Sequence, residues 1–375
     1  MHILHILPRL TIGGIEKSVC AFLKKATVTY PDVKHTVVAA SGPLKTSLPQ
    51  KVTYIPLNLH RKDPASLFLN GIRLARLARV CGVDIMHAQS RGPCWSTLMA
   101  SRLTSIPWVS SIHGAHKIQN KLKHFYNSSE LRASCVISLS TFLVRYIHAH
   151  YAPFEENVIP IISGIDTDYF TPALIPHEEI AHWRKSLSHN EPLLVMPGRL
   201  TAIKGHNLLL EALAILRQQG ENFHCVFIGP TKGAEAYVTA LKMHIQNLRL
   251  VESVRFEEAR QDLRSLMCAA DVVVAPSIHP EAFGCVVAEA CALERCVVAS
   301  DLGGFQEIIE NNKTGWLFKP SHAADLAEAL HHVLHLSNEE RTRIGQQARK
   351  RIETHFSLDR YVQQMIDVYC NTLQG

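Results

Sequence analysis

The chain has 375 residues, a formal net charge of +6 and 47% hydrophobic residues. That length suits two ordinary domains with packed cores, and no apolar run approaches the ~20 residues of a membrane span. Met1–Leu7 is cut short by Pro8 and Arg9, so no secretory leader is expected and a cytoplasmic protein is. The ten cysteines include no C-x-x-C pair, which fits buried thiols in a reducing compartment.

In chain order, short apolar strands are expected at Ile3–Leu7, His35–Ala39, Val52–Ile55, Ile85–His87, Trp108–Ile112, Cys135–Ser138 and Asn157–Pro160. Helical patterns such as Ser66–Arg79 and Ser96–Leu103 lie between most of them. A second series follows at Leu193–Met196, Cys225–Ile228, Ser253–Phe256, Asp271–Ala275, Val297–Ala299 and Trp316–Phe318. Alternation of this kind predicts an α/β fold with mostly parallel sheets. The stretch Ser163–Glu191 is richer in Pro, His and charge, which places a boundary near its start. The expected domains are 1–165, 166–355 and a terminal helix, 356–375, crossing back to the first. From Asp325 to Leu373 the pattern is helical, so these helices must pack outside the sheets. His331, His332 and His335 share one helical stretch, where they fit a solvated face or, in principle, a metal.

Charge is uneven. Residues 1–170 carry 19 Lys and Arg against 9 Asp and Glu, a net of +10; the remainder, 20 against 24, is −4. A basic first half suggests an anionic partner. The segment His116–Tyr126, with the cations Lys117, Lys121 and Lys123 beside Leu122 and Phe125, has the composition of an interfacial helix. A solvated basic helix face fits equally. No nucleic-acid-binding motif accompanies the charge.

The two halves begin alike. Leu7–Gly14 follows the first strand of one, and Met196–Gly205 the first strand of the other. Each is a glycine-containing loop leading into a helix, where glycine lets a ligand approach the backbone. Arg199 and Lys204 add two cations to the second loop, a plausible diphosphate clamp. A tight turn with solvated basic residues fits either loop alone. Neither matches G-x-G-x-x-G or the P-loop, so dinucleotide redox and P-loop NTPase chemistry lose their main support.

The most informative stretch is Pro280–Glu289. A buried strand, Asp271–Ala275, precedes it, and an apolar helix follows Gly284. This order sets helix N-terminal amides beside the carboxyl end of a parallel strand, a place that suits a phosphate. Glu281 in the loop and Glu289 on the helix could hold hydroxyls on either side. An ordinary strand–loop–helix with one capping and one ion-paired Glu fits the spacing too. The setting of Glu289 among Val286, Val287, Ala288, Ala290 and Leu293 makes an unpartnered carboxylate costly.

These motifs together resemble the retaining glycosyltransferases of the GT-B fold, family 4. Gly13-Gly14-Ile15-Glu16 is similar to the family's G-G-x-E loop, and Gly198-Arg199-Leu200 with Lys204-Gly205 to its G-R-L…K-G segment. Glu281–Glu289 matches E-x7-E. Ala299–Ile309 and Thr314–Phe318 match the S-D-x-G-G-x-x-E and G-x-L-[FV] stretches. Two departures stand out: Ser163 replaces the usual Asn before Gly164-Ile165-Asp166, and the G-x-G-P segment reads Ile228–Gly233. The second puts the nucleotide preference in doubt; Glu257 and Glu258 would form another part of that pocket.

The resemblance implies two Rossmann-like parallel-sheet domains facing a central cleft that closes over the donor, with C-terminal helices outside. It implies transfer of a sugar from a UDP- or GDP-sugar to a cell-envelope glycan or glycolipid such as lipopolysaccharide. Glu281 would contact the sugar, Glu289 the ribose, and the amides of Phe283, Gly284 and Cys285 the sugar and diphosphate. Arg199 and Lys204 would neutralise the diphosphate, with Gly13, Gly14 and Gly198 allowing close approach. His113 matches the family's active-site histidine, and no cofactor or metal is required. The expected location is the cytoplasm; contact with the inner face of the cytoplasmic membrane is a hypothesis that rests on the basic first half and the Lys117–Tyr126 segment. A GT-B nucleotide-sugar epimerase, which needs no acceptor, and a non-catalytic nucleotide-sugar-binding protein are the alternatives. The leaving-group cations argue against the second.

Overall fold

A computed structural model describes residues 1–375 except 12, 117, 152, 153, 155, 156, 189, 190, 259, 261 and 375. The elements run β1 (His2–Arg9), α1 (Gly14–Thr29), β2 (Lys34–Ala40), β3 (Thr53–Pro56), α2 (Pro64–Val80), β4 (Ile85–Gln89), α3 (Arg91–Thr104), β5 (Trp108–Ile112), α4 (Lys121–Asn127), β6 (Cys135–Ser138), α5 (Thr141–His150) and β7 (Val158–Pro160). They continue with α6 (His177–Leu187), β8 (Leu193–Pro197), α7 (His206–Gln218), β9 (His224–Ile228), α8 (Glu235–Asn247), β10 (Val254–Glu257), α9 (Arg264–Ala269), β11 (Val272–Ala275), α10 (Cys285–Ala292), β12 (Cys296–Ser300), α11 (Phe305–Ile308), β13 (Trp316–Phe318), α12 (Ala323–Leu334), α13 (Asn338–His355) and α14 (Leu358–Gln374). The chain divides into two compact units, Met1–Gly164 with Leu358–Gly375, and Ile165–Ser357.

Every expected strand forms, because strands covered on both faces read as near-continuous apolar runs. Among the described residues the first unit has a sheet of order β3-β2-β1-β4-β5-β6-β7 and the second one of order β10-β9-β8-β11-β12-β13. All pairings are parallel. Both are doubly wound, so each has a point where the strand order reverses and ligands gather at the strands' carboxyl ends. In the first unit that point lies between β1 and β4, and in the second between β8 and β11.

Helix α2 starts earlier than its apolar pattern suggests. The Asp63 carboxylate accepts from the Ser66 amide at 2.9 Å, and Pro64 takes the first helical position, where its missing N–H costs nothing. Helix α3 also starts early, directly after Ser90 (φ +78°). In the first core, Tyr361, Val362, Met365 and Tyr369 of α14 pack with Phe22 and Leu23 of α1 and with Ile3, Val37 and Ile85 of the sheet. The second core joins Leu209 and Leu213 of α7 and Leu326 and Leu330 of α12 to Phe227, Val272 and Val298. Arg184 of α6 grips Asp271 in a bidentate pair at 2.6 and 2.7 Å, and Asp271 also accepts from the Leu193 amide at 2.8 Å. That carboxylate ties α6 to the starts of β8 and β11.

The sequence pattern did not reveal a histidine cluster on one face of the first sheet. His5 on β1, His35 on β2 and His87 on β4 are all buried. His5 Nε2 lies 3.0 Å from His35 Nδ1, and His87 is held by Tyr369 Oη and Ser111 Oγ, each at 2.8 Å. Burial above all holds His35 down at about 4 and His87 at about 3. Each binds its proton more weakly folded than unfolded, so stability is full above the ordinary histidine range and falls as pH drops through it toward 4. The unfolding temperature, followed by circular dichroism, is therefore expected to fall steadily from pH 6.5 to 5, and His87→Gln to flatten that slope. A flat profile would contradict the assignment.

Candidate functional site

The site in the second unit forms where β8 and β11 end side by side. The loop after β8 runs Gly198–Gly205, and the loop after β11 runs Pro276–Gly284. They are pressed together. The Ile278 amide donates to Ile203 O at 2.9 Å. A Cβ on Gly205, which has φ +83°, would lie 1.8 Å from Pro276 O. On the other side the turn after β12 closes in. Glu281 bridges Gly303, the Gly304 amide donates to Glu281 O at 2.9 Å, and a Cβ on Gly304 would sit 2.3 Å from Phe283 O. The S-D-x-G-G sequence thus brings a backbone against the carboxylate loop where no side chain fits.

This packing joins two side chains for which the sequence suggested separate roles. Lys204 Nζ donates to Glu281 Oε1 at 2.6 Å, and the Ser277 hydroxyl donates to the same oxygen at 2.8 Å. Lysine and carboxylate are each about one-quarter exposed. Helix α10 begins directly behind them, with Gly284 (φ +103°) as its N-cap. Among the described residues the amides of Gly284, Cys285 and Val286 have no protein acceptor, as expected of a first turn, and they add partial positive charge. Burial, then the carboxylates of Glu289 and Glu281, push the Cys285 thiol up to about 12, against the pull of Lys204. Cys285 is therefore a neutral thiol within electrostatic reach of all three.

Glu289 is half-buried one turn further along α10, within electrostatic reach of the Tyr169 phenol. The Arg264 guanidinium covers the Tyr169 ring at 3.7 Å and pairs with Asp262 at 2.6 Å. Arg199 stands exposed on the same loop as Lys204; among the described residues its side chain has no hydrogen-bonding or ionic partner. Gly198 has φ +153° and fits against Gly229, whose Cβ would meet Gly198 O at 2.1 Å. In the pocket suggested for the base, Thr231 Oγ1 donates to the Glu258 carboxylate.

The first unit holds its candidates at the carboxyl ends of β1, β4 and β5. Gly13 and Gly14 join β1 to α1; a Cβ on Gly13 would strike Glu16 Oε2 at 2.4 Å, while Gly14 has open space. His113 follows β5, and its Nε2 meets Gln89 Oε1 at 2.8 Å across the end of β4. Burial, then His116, holds His113 at about 4. It is a neutral, oriented imidazole at physiological pH. Gln89 and Ser277 were missed in the sequence; their position at the carboxyl ends of the central strands was the available signal. Lys117 lies outside the described residues.

Two family models cover most of the chain: glycosyltransferase family 4 over residues 12–169 and glycosyl transferases group 1 over residues 178–351. EpsD of Bacillus subtilis (strain 168), a protein that bears the name of a glycosyltransferase, is 30% identical over 344 residues, 88% of each chain. The chain belongs to the family 4 glycosyltransferases. A glycosyltransferase from Rickettsia africae superposes with a TM-score of 0.89 at 28% identity, over 100% of this chain and 99% of its own. Anabaena HepE, solved with UDP-glucose, shares the fold with a TM-score of 0.85 at 23% identity, over 99% of this chain and all of its own. This glycosyltransferase is therefore a transferase enzyme with the two Rossmann-like parallel sheets of the GT-B fold.

The close approach at Gly205 carries a prediction. Gly205→Ala adds a left-handed penalty to a backbone clash and is expected to destabilise the glycosyltransferase by more than about 2 kcal/mol. Gly14→Ala, in open space, should shift stability by no more than about 0.5 kcal/mol. Urea midpoints measure both; equal effects would contradict the packing described.

Proposed function

We propose that this glycosyltransferase moves a sugar from a UDP- or GDP-sugar to a glycan or glycolipid acceptor of the cell envelope, such as lipopolysaccharide, with retention and without a metal ion. The observation that carries the donor assignment is the Lys204–Glu281 pair beside the free amides of α10, at the reversal point of the second sheet. Such a place collects phosphate. Lys204, Arg199 and the helix N-terminus supply fixed positive potential for a departing diphosphate. Glu281 would face sugar hydroxyls and Glu289 ribose hydroxyls. The UDP-glucose complex of HepE, a protein of the same fold, supports a nucleotide-sugar donor.

In the proposed reaction the bond from the anomeric carbon to the diphosphate breaks. The acceptor oxygen bonds to that carbon on the same face, and its proton passes to a diphosphate oxygen. His113, neutral and held by Gln89, would accept or donate a hydrogen bond to a sugar hydroxyl. It supplies no positive charge. The acceptor reading rests on the +10 charge of residues 1–170. Glu281→Ala is expected to keep nucleotide affinity within a few-fold while lowering turnover by about 10²-fold or more; wild-type turnover would refute the assignment. Turnover should persist in EDTA, with the α- or β-configuration of the donor kept in the product by NMR.

We also propose that α4 and its surroundings touch an anionic membrane surface. Among the described residues no helix is long and apolar enough to cross a membrane. Leu122 is 82% and Phe125 56% exposed, and Lys121 and Lys123 lie beside them. Arg132 lies over the Phe125 and Trp95 rings, at 5.2 and 5.4 Å, bracing this aromatic edge. Co-sedimentation with anionic vesicles is expected at low salt, weakening as salt rises. No sedimentation at low ionic strength would eliminate this reading.

A further inference from the structure

We propose a second ligand site in this enzyme: a zinc-type divalent ion held by Glu221, His331 and His335. Helix α7 ends at Gln218, and Gly220, with φ +89°, turns the chain out of it. Glu221 stands immediately after that turn. Its backbone is fixed, because its amide donates to Leu216 O at 3.1 Å. His331 and His335 are four residues apart at the end of α12 and so share one face. Their rings lie 4.3 Å apart by centroid.

The three side chains converge on one point. His335 Nε2 is 2.9 Å and His331 Nε2 3.3 Å from Glu221 Oε1. One ligand atom from each residue lies within 4.8 Å of the others. Zinc bonds of about 2.0–2.2 Å place neighbouring ligand atoms about 3.3–3.5 Å apart, so small rotations of the two imidazoles admit the ion. Two imidazoles and one carboxylate match zinc's ligand preferences and leave a position for water. The C-terminal ends of α7 and α12 both meet here, and their partial negative charge favours a cation.

The placement argues for a fastening role rather than a catalytic one. Gly205 and Lys204 lie at the N-terminal end of α7, and Glu221 lies beyond its C-terminal end. A helix of 13 residues separates them by about 20 Å. A bound ion would clamp the turn after α7 to the end of α12, two helices that share the second core.

The test uses the full chain without a histidine tag. Zinc titration by calorimetry is expected to show one equivalent per chain, with a rise in unfolding temperature. Cobalt substitution should give the visible absorption of a low-symmetry site. His331→Ala, His335→Ala and Glu221→Ala should each weaken binding by more than about tenfold while leaving transfer unchanged. His332→Ala, on the same helix but outside the cluster, should bind like the parent. Circular dichroism confirms that each variant is folded. Stoichiometric binding that survives all three substitutions, or no binding below millimolar zinc, would overturn the proposal.

Discussion

The candidate site of this glycosyltransferase depends on three backbone contacts that only glycine permits. Gly205 lies against Pro276, Gly303 against Glu281, and Gly304 against Phe283. They lock the loops after β8, β11 and β12 into one wall at the reversal point of the second sheet. Once those backbones touch, the Lys204 ammonium and the Glu281 carboxylate have little choice but to meet. Two of the three glycines, Gly205 and Gly303, also have positive φ, so a side chain there would be strained even with room for it.

Electrostatics follow from this wall. Lys204 and Glu281 are partly shielded, and Ser277 fixes the shared oxygen. Each charge has its partner, and the pair stays partly open to solvent. In the proposed function a phosphate takes the ammonium while hydroxyl groups take the carboxylate. The neighbouring thiol does not compete, because Cys285 stays protonated. Positive potential in the second unit comes from Lys204, Arg199 and the amides of α10.

The sheets were legible because parallel strands are buried on both faces. Val272–Ala275 and Val297–Ala299 are short apolar runs bounded by breakers. The loops of the candidate site were legible as loops at strand ends because Gly198–Gly205 and Glu281–Glu289 place glycine, cations and carboxylates there. Three things were not legible, and each depends on long-range contact. The meeting of Lys204 with Glu281 needs loops 77 residues apart to touch. The support of His113 by Gln89 crosses two strands. The His5, His35 and His87 cluster needs the register of three strands, since single histidines in apolar runs look dispersed.

In the proposed function Lys204 and Arg199 serve the diphosphate and not the nucleoside. Isothermal titration of the better-binding nucleotide, UDP or GDP, and of its nucleoside tests this directly. Lys204→Met and Arg199→Met are each expected to lower diphosphate affinity by about tenfold or more, with nucleoside affinity unchanged. Diphosphate binding at parent strength in both variants would contradict it.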